Sequence, residues 1–178
     1  ERGIDTGMIT RLPVNSTKLH SFQTSTGRKP RGILEVVLRV GRKSATILSN
    51  HWPSQSNPDA DRMLAGQLLL QVAGAAQRQT DLVVAAGDFN TAEDDELNAL
   101  KTLVLPAFWD AEAEAVAAGV DLGAPATYSY KGVWASLDHI FIMKGNSRRA
   151  PDFSRVSIYT ENGNMIENYT YQGRNESR

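Results

Sequence analysis

The clearest alternation along the chain lies between residues 33 and 40. In an extended conformation Leu34, Val36, Leu38 and Val40 fall on one face, with Glu35 and Arg39 opposite, which is the period of a half-buried strand. Gly41-Arg42-Lys43 predicts a turn, and residues 44–50 its hairpin partner. Upstream, residues 7–12 read as a strand-like run. Residues 15–30, rich in Ser, Thr and Lys, read as a loop. The period then changes. Asn57-Pro58 predicts a helix start, with Asn as N-cap and Pro at the first helical position, and Asp59 and Asp61 suit the positive end of the helix dipole. Leu64, Leu68, Val72 and Ala75 form an apolar stripe at helical spacing, with Arg62, Gln67, Gln71 and Arg78 mostly off it. The pattern ends near Gln79.

Residues 82–86 are continuously apolar, the mark of a strand covered on both faces. Thr91 with Asp94 resembles a capping box and predicts a following helix. An Ala-rich stretch over 111–118 predicts another, stopped by Gly119. Tyr128, Tyr130 and Trp134 around Lys131-Gly132 predict an aromatic hairpin. Residues 137–143 read as a strand, residues 156–159 as one more, and the polar stretch 161–178 as a loop or poorly ordered tail. With neither repeats nor an internal linker, the chain reads as one α/β (α+β) domain with a packed sheet core.

Composition narrows the chemistry. The 178 residues are 41% hydrophobic and 22% charged with a formal net charge of -1, the balance of a soluble globular domain. No global basic field draws in nucleic acid, so polyanion binding requires a local patch. Arg28, Lys29 and Arg31 in one loop, and Arg148 with Arg149 in another, are candidates, although such clusters are commonly just solvated. The absence of cysteine excludes disulfides, thiolate nucleophiles and cysteine-ligated zinc. No apolar run reaches the roughly 18 residues that would span a bilayer.

Three short polar motifs sit where strands end or run. Gly87-Asp88-Phe89-Asn90 follows the buried strand directly, at the carboxyl end where open α/β sheets place their sites. If the chain stays extended, Asp88 and Asn90 share a face. A carboxylate that can orient water would then stand beside a carboxamide that can donate to an anion. The same residues also suit a simple turn. His51 closes its strand ahead of Pro53, so its imidazole stands at a sheet terminus, where it either meets a phosphoryl oxygen or is structural. Trp52 reads as packing. Asp138 alternates with Ile140 and Ile142 on one face of its strand. A carboxylate there is costly unless paired, so it calls either for a histidine to orient or for an arginine partner.

Taken in order, His-Trp-Pro-Ser, Gly-Asp-Phe-Asn and Leu-Asp-His-Ile-Phe resemble the later motifs of the endonuclease/exonuclease/phosphatase superfamily, the DNase I-like group. Arg2-Gly3-Ile4-Asp5 leading into Met8-Ile9, and the Tyr-Lys-Gly-Val-Trp stretch before Asp138, fit the same alignment. The resemblance implies a four-layered α/β/β/α sandwich and a divalent cation, Mg2+ or another. It implies hydrolysis of a phosphate ester, chiefly a phosphodiester, with nucleic acid among the candidate substrates. Carried across, Asp88 orients the attacking water, Asn90 holds a phosphoryl oxygen, His51 contacts the phosphate and Asp138 orients the family's last histidine; no role passes to His139.

Two departures accompany the matches. The family's early metal-contacting Asn and metal-binding Glu lie upstream of the Arg-Gly-Ile segment, and its closing Ser-Asp-His has no counterpart after Met143. The expectation is therefore a partial domain over 1–178, incomplete at both ends, with its metal ligand outside the chain. It would be weakly active or inactive alone. The rival expectation is a non-catalytic binding module or pseudoenzyme on the same fold.

Overall fold

The computed structural model describes residues 6–92, 95–122 and 126–145; Tyr130 is described in its backbone only. Strands β1 (Val14–His20), β2 (Ile33–Val40), β3 (Lys43–His51), β4 (Leu82–Asp88), β5 (Phe108–Asp110) and β8 (Asp138–Met143) form a six-stranded sheet in the order β1-β2-β3-β4-β8-β5. Strands β6 (Tyr128–Tyr130) and β7 (Val133–Ala135) form a separate ribbon. All neighbouring pairs are antiparallel except β3 and β4. That parallel pair requires a crossover, and helix α1 (Asp59–Ala76) supplies it.

One face of the sheet carries the core. Leu48, Ala85 and Phe141 are consecutive register partners across β3, β4 and β8, and all are fully buried. Against them α1 packs Ala65, Leu69, Val72, Ala73 and Ala76. The buried stripe is thus rotated from the expected one: Val72 belongs to it, but Leu64 and Leu68 lie at its margin, half-buried. Small residues allow the helix to approach closely. A Cβ on Gly66 would already stand 3.3 Å from the Trp52 ring. Arg62, expected off the stripe, is in fact 1% exposed. It is tolerated there because Asp59 and Asp95 neutralise it and its guanidinium also donates to the Ser54 carbonyl. Asn57 does not cap α1: its amide donates to Ser54 instead, and Pro58 takes the cap position.

At the N-terminal edge the sequence reading is corrected. Residues 7–12 form no strand, whereas 14–20, within the expected loop, form β1. Its residues are exposed on both faces except for the half-buried His20, so no hydrophobic alternation marks it. The ladder to β2 makes it a strand. Elsewhere the readings hold in type. Residues 33–40, 43–51, 82–88 and 138–143 are strands, and Asp110 caps α3 (Ala111–Ala117) through its side chain. Lys131 and Gly132 take the positive φ angles, 50° and 80°, that a two-residue hairpin turn of the primed type requires.

A helical stretch does follow Thr91, but it begins later. A π-helical segment (Leu100–Val104) runs into the single turn α2 (Leu105–Ala107), and the Asn98 side chain accepts from the Lys101 amide near its start. The proposed cap Asp94, the segment 156–159, the arginines 148 and 149, the tail 161–178 and residues 2–5 lie outside the described residues. The helix layer and the six-stranded sheet are the α/β half of the expected sandwich. Among the described residues no helix is long and apolar enough to cross a membrane.

Candidate active site

His51, Asp88 and Asp138 are also consecutive register partners, one from each of the neighbouring strands β3, β4 and β8. Each is an odd number of residues from its strand's core position, so all three face away from α1. The parallel ladder continues past β3 through the Trp52 amide donating to the Asp88 carbonyl at 2.9 Å. On the other side the Phe89 amide donates to the Leu137 carbonyl at 2.8 Å. Thr127 Oγ1 accepts from both the Leu137 and Asp138 amides at 3.1 Å, which anchors the start of β8 to the β6–β7 ribbon.

The row depends on Gly87. Its φ is +129°, and a Cβ there would stand 2.1 Å from the Asn50 carbonyl oxygen. Only glycine lets β4 come this close to β3 at the level of the site. Below it, Trp52 and Phe89 meet edge to face at 4.9 Å, as do Phe89 and Phe141. Trp52 is packing, as expected, and its indole N–H donates to Asn50 Oδ1 at 3.0 Å.

His51 Nε2 stands 3.6 Å from Asp88 Oδ2, with both side chains about 30% exposed (28% and 31%). That is beyond a direct hydrogen bond, so the two groups flank a gap instead of closing on each other. Burial lowers the His51 pKa, and the Arg31 charge adds to the effect; the carboxylates of Asp88 and Asp138 oppose it without prevailing. Near neutral pH His51 is therefore chiefly the neutral imidazole, and its contact with Asp88 is no ion pair. Asp88 moves the other way: burial raises its pKa, assisted by Asp138 and opposed by the Asn90 amide, His51 and Arg31. A carboxylate displaced in this direction is a better proton acceptor.

Asn90 departs from the expected geometry. The strand ends at Asp88, and Asn90 turns into the left-handed region with φ 47°. Its backbone amide donates to Asp88 Oδ1 at 2.8 Å and its side-chain amide to the Trp52 carbonyl at 3.1 Å, while the residue is 8% exposed. It clasps the ends of β3 and β4 together and fixes the Asp88 carboxylate. Asp138 also differs from expectation. It is exposed, and so is Ile140 beside it, so among the described residues no burial penalty demands a partner. His139 points to the core face and pairs through Nδ1 with Asp110 Oδ2 at 3.1 Å, a contact that sequence spacing did not reveal.

Arg31 is the charged neighbour whose importance the sequence left open. It lies two residues before Ile33, which is the register partner of Asn50, so the chain brings it to the same end of the sheet as His51. Among the described residues no group of three or more His, Asp or Glu side chains is arranged to hold a metal ion. Asp88 and Asp138 offer two carboxylates, and Mg2+ is commonly held by one or two, with water and substrate oxygens completing its six-fold shell; by themselves they are a candidate anchor and not an assembled metal centre.

The family model for the endonuclease/exonuclease/phosphatase family matches residues 1–154. Comparison with curated protein sequences gives no significant match. Among solved structures, a humanized D. rerio TDP2 carrying 14 mutations is similar at 18% identity and TM-score 0.60, over 79% of this chain and 55% of that one. The human Nocturnin catalytic domain, solved with a bound sulfate anion, is similar at 17% identity and TM-score 0.57, over 75% and 49%. D. rerio TDP2 in complex with a single-strand DNA product gives 16% and 0.53, over 75% and 54%. The chain thus spans about half the length of these structures, and at such identities the likeness shows the fold. Matched over most of its length by the family model and sharing the fold of these structures, the chain belongs to the endonuclease/exonuclease/phosphatase family.

Proposed function

We propose that this domain takes part in hydrolysis of a phosphate ester, in first place a phosphodiester, by attack of water. The observation that carries the reading is the row His51, Asp88 and Asp138 across three adjacent strand ends, with a gap between imidazole and carboxylate. Asp88 Oδ1 is fixed by the Asn90 amide. Its Oδ2, facing His51, would orient water and accept its proton, aided by the burial that raises its pKa. His51, neutral and half-buried, would donate to a phosphoryl oxygen. Asn90 acts here through Asp88 and Trp52 as a positioning residue, a narrower role than direct phosphate contact. Asp138 adds negative charge at the end of the row and would orient a histidine supplied from beyond the described residues. The divalent cation, Mg2+ or another, belongs to the same proposal and would take ligands from beyond them too. DNA enters as a candidate substrate because one similar structure, D. rerio TDP2, holds a single-strand DNA product.

The test is hydrolysis of bis(p-nitrophenyl) phosphate and of single-stranded DNA by the whole protein that contains this domain, with and without Mg2+. Asp88→Asn and His51→Ala are each expected to lower turnover by about 10²–10⁴-fold, the usual worth of a positioned acid or base. Wild-type turnover in both variants would overturn the roles given to Asp88 and His51, and a wild type with no turnover in either substrate, with or without Mg2+, would leave a binding module on the same fold.

A further inference from the structure

The first turn of helix α1 buries a cation, Arg62, whose side chain reaches well beyond its own helix. Its Nε donates to Asp95 Oδ2 at 3.1 Å, and Nη2 lies 3.0 Å from the same oxygen. Nη1 donates to the Ser54 carbonyl at 3.3 Å and to the Asn57 carbonyl at 3.5 Å, while Nη2 also pairs with Asp59. We infer that Arg62 is a positioning residue for the hydrolytic site: by holding Ser54 and Asp95 at once, it fixes the segment that follows His51 to the segment that follows Asp88. The inference rests on the hydrolytic reading above and adds the residue that keeps its two reacting side chains in place.

Three observations support it. First, the partners outside α1 are selected. Ser54 and Asn57 belong to the stretch that leaves β3 after His51, and Asp95 to the stretch that leaves β4 after Asp88. Asp59 repeats the tie, since its Oδ1 pairs with Arg62 and its Oδ2 accepts from the Leu97 amide at 3.3 Å. Second, the links from Arg62 to the strand ends are stiff. Between His51 and Ser54 lie only Trp52 and Pro53, both buried, and the proline ring fixes its own φ. Along the other stretch Thr91 Oγ1 donates to the Phe89 carbonyl at 2.9 Å, and the Asp95 amide donates to the Ala92 carbonyl at 3.3 Å. A shift at Ser54 or Asp95 is therefore passed on to the strand ends instead of being absorbed in a loose loop.

Third, charge is a costly way to fill this space. A well-packed apolar side chain of similar volume is often as stable as a buried ion pair, or more so. What an apolar group cannot do is hold separate segments in fixed directions, which the guanidinium does through its planar fork of donors. Asn90 clasps the same two segments at the strand ends, and Arg62 ties them again further along the chain.

The experiment is amide hydrogen exchange of the 178-residue chain, read by NMR at the Trp52 and Asn90 amides. These donate to the Asp88 carbonyl and to Asp88 Oδ1, so they report the joint between the two strand ends. The Leu69 amide, in the middle of α1, reports the rest of the fold. Asp95→Ala is expected to speed exchange at Trp52 and Asn90 about tenfold or more beyond any change at Leu69, the worth of one charge-assisted hydrogen bond. Arg62→Lys should do the same, because one ammonium cannot reach Ser54 and Asp95 together; if it fails to fold, Asp95→Ala decides alone. Val72→Ala, a core truncation in the same helix, should speed Leu69 at least as much as the two reporters. Reporters that change no more than Leu69 in Asp95→Ala would overturn the positioning role, and wild-type exchange in a folded Arg62→Lys would overturn the bridging fork. In the whole protein that contains this domain, Asp95→Ala should lower kcat for bis(p-nitrophenyl) phosphate about tenfold with KM within about threefold, because reacting groups and not binding contacts are displaced. An effect confined to KM would also overturn the role. A wild type without turnover would sink the hydrolytic reading but leave the exchange result standing, so the two failures are distinguishable.

Discussion

Replacing Gly87 by alanine tests in one substitution how the fold makes the site. The new Cβ would stand 2.1 Å from the Asn50 carbonyl oxygen, 3.0 Å from its carbon and 3.2 Å from its nitrogen. All three are backbone atoms of the adjacent strand and cannot rotate aside. Ordinary contact distances begin near 3.5 Å for carbon atoms, so β3 and β4 must part locally by about 1 Å or more. A φ of +129° adds a backbone region that a side chain occupies at about 1–3 kcal/mol, and the steric overlap adds about 1–3 kcal/mol. The expected loss is about 2–6 kcal/mol, a drop in melting temperature of roughly 5–20 °C for a domain of this size.

The control is Gly74→Ala in α1, where a Cβ meets nothing within 4 Å and helix propensity predicts a gain of about 0.5–1 kcal/mol. Urea denaturation of both variants gives the comparison. Because the strain falls between His51 and Asp88, the whole protein carrying Gly87→Ala should also lose about 10²-fold in turnover, the cost of a 1 Å misplacement. A wild-type urea midpoint for Gly87→Ala would refute the packing argument. A destabilised variant whose His51–Asp88 distance is still 3.6 Å would refute the link from packing to site.

Two further outcomes are expected. Arg62→Ala removes the cation between Asp59 and Asp95 and should cost about 3–5 kcal/mol in urea denaturation, as for breaking a buried pair, with part recovered in the Arg62→Ala/Asp95→Asn double variant; a cost under about 1 kcal/mol would show that these charges are not coupled. For His51, the folded pKa lies below the ordinary 6.5, so the folded state takes up its proton later than the unfolded chain does. Its contribution to stability is intact above pH 6.5 and is lost as pH falls through that value towards the folded pKa. His51→Gln should therefore lose less stability than wild type between pH 7.5 and 5.5 in urea titrations, and identical pH profiles would contradict the shift.

Strand and helix types were legible in the sequence wherever burial imposes a period. Ile33–Val40, the apolar run into Asp88 and the strand through Asp138 all declare themselves this way, as does the Lys131-Gly132 turn through its demand for positive φ. Edge strand β1 was not legible, because its residues are exposed and its ladder is made with a partner that local sequence cannot specify. The α1 stripe was misplaced by its leucines, since small residues permit the close approach and the buried Arg62 has its neutralising Asp95 at 33 positions' remove. Asn90 was expected to continue the strand face of Asp88, but its left-handed turn sends the amide to the Trp52 carbonyl, 38 positions away in sequence.

By itself, then, the sequence determined which residue types could do chemistry, their order, and the strand ends on which they stand, because these depend on local period and on motif. Only the tertiary structure decided that positions 51, 88 and 138 lie abreast, that Asn90 serves as their clasp, and that Arg31 comes to the same end of the sheet. Register between strands depends on ladder bonds and close backbone approach among segments distant along the chain. Here the ladder aligns β3 with β4, and Gly87 permits the close approach because a Cβ there would meet the Asn50 backbone.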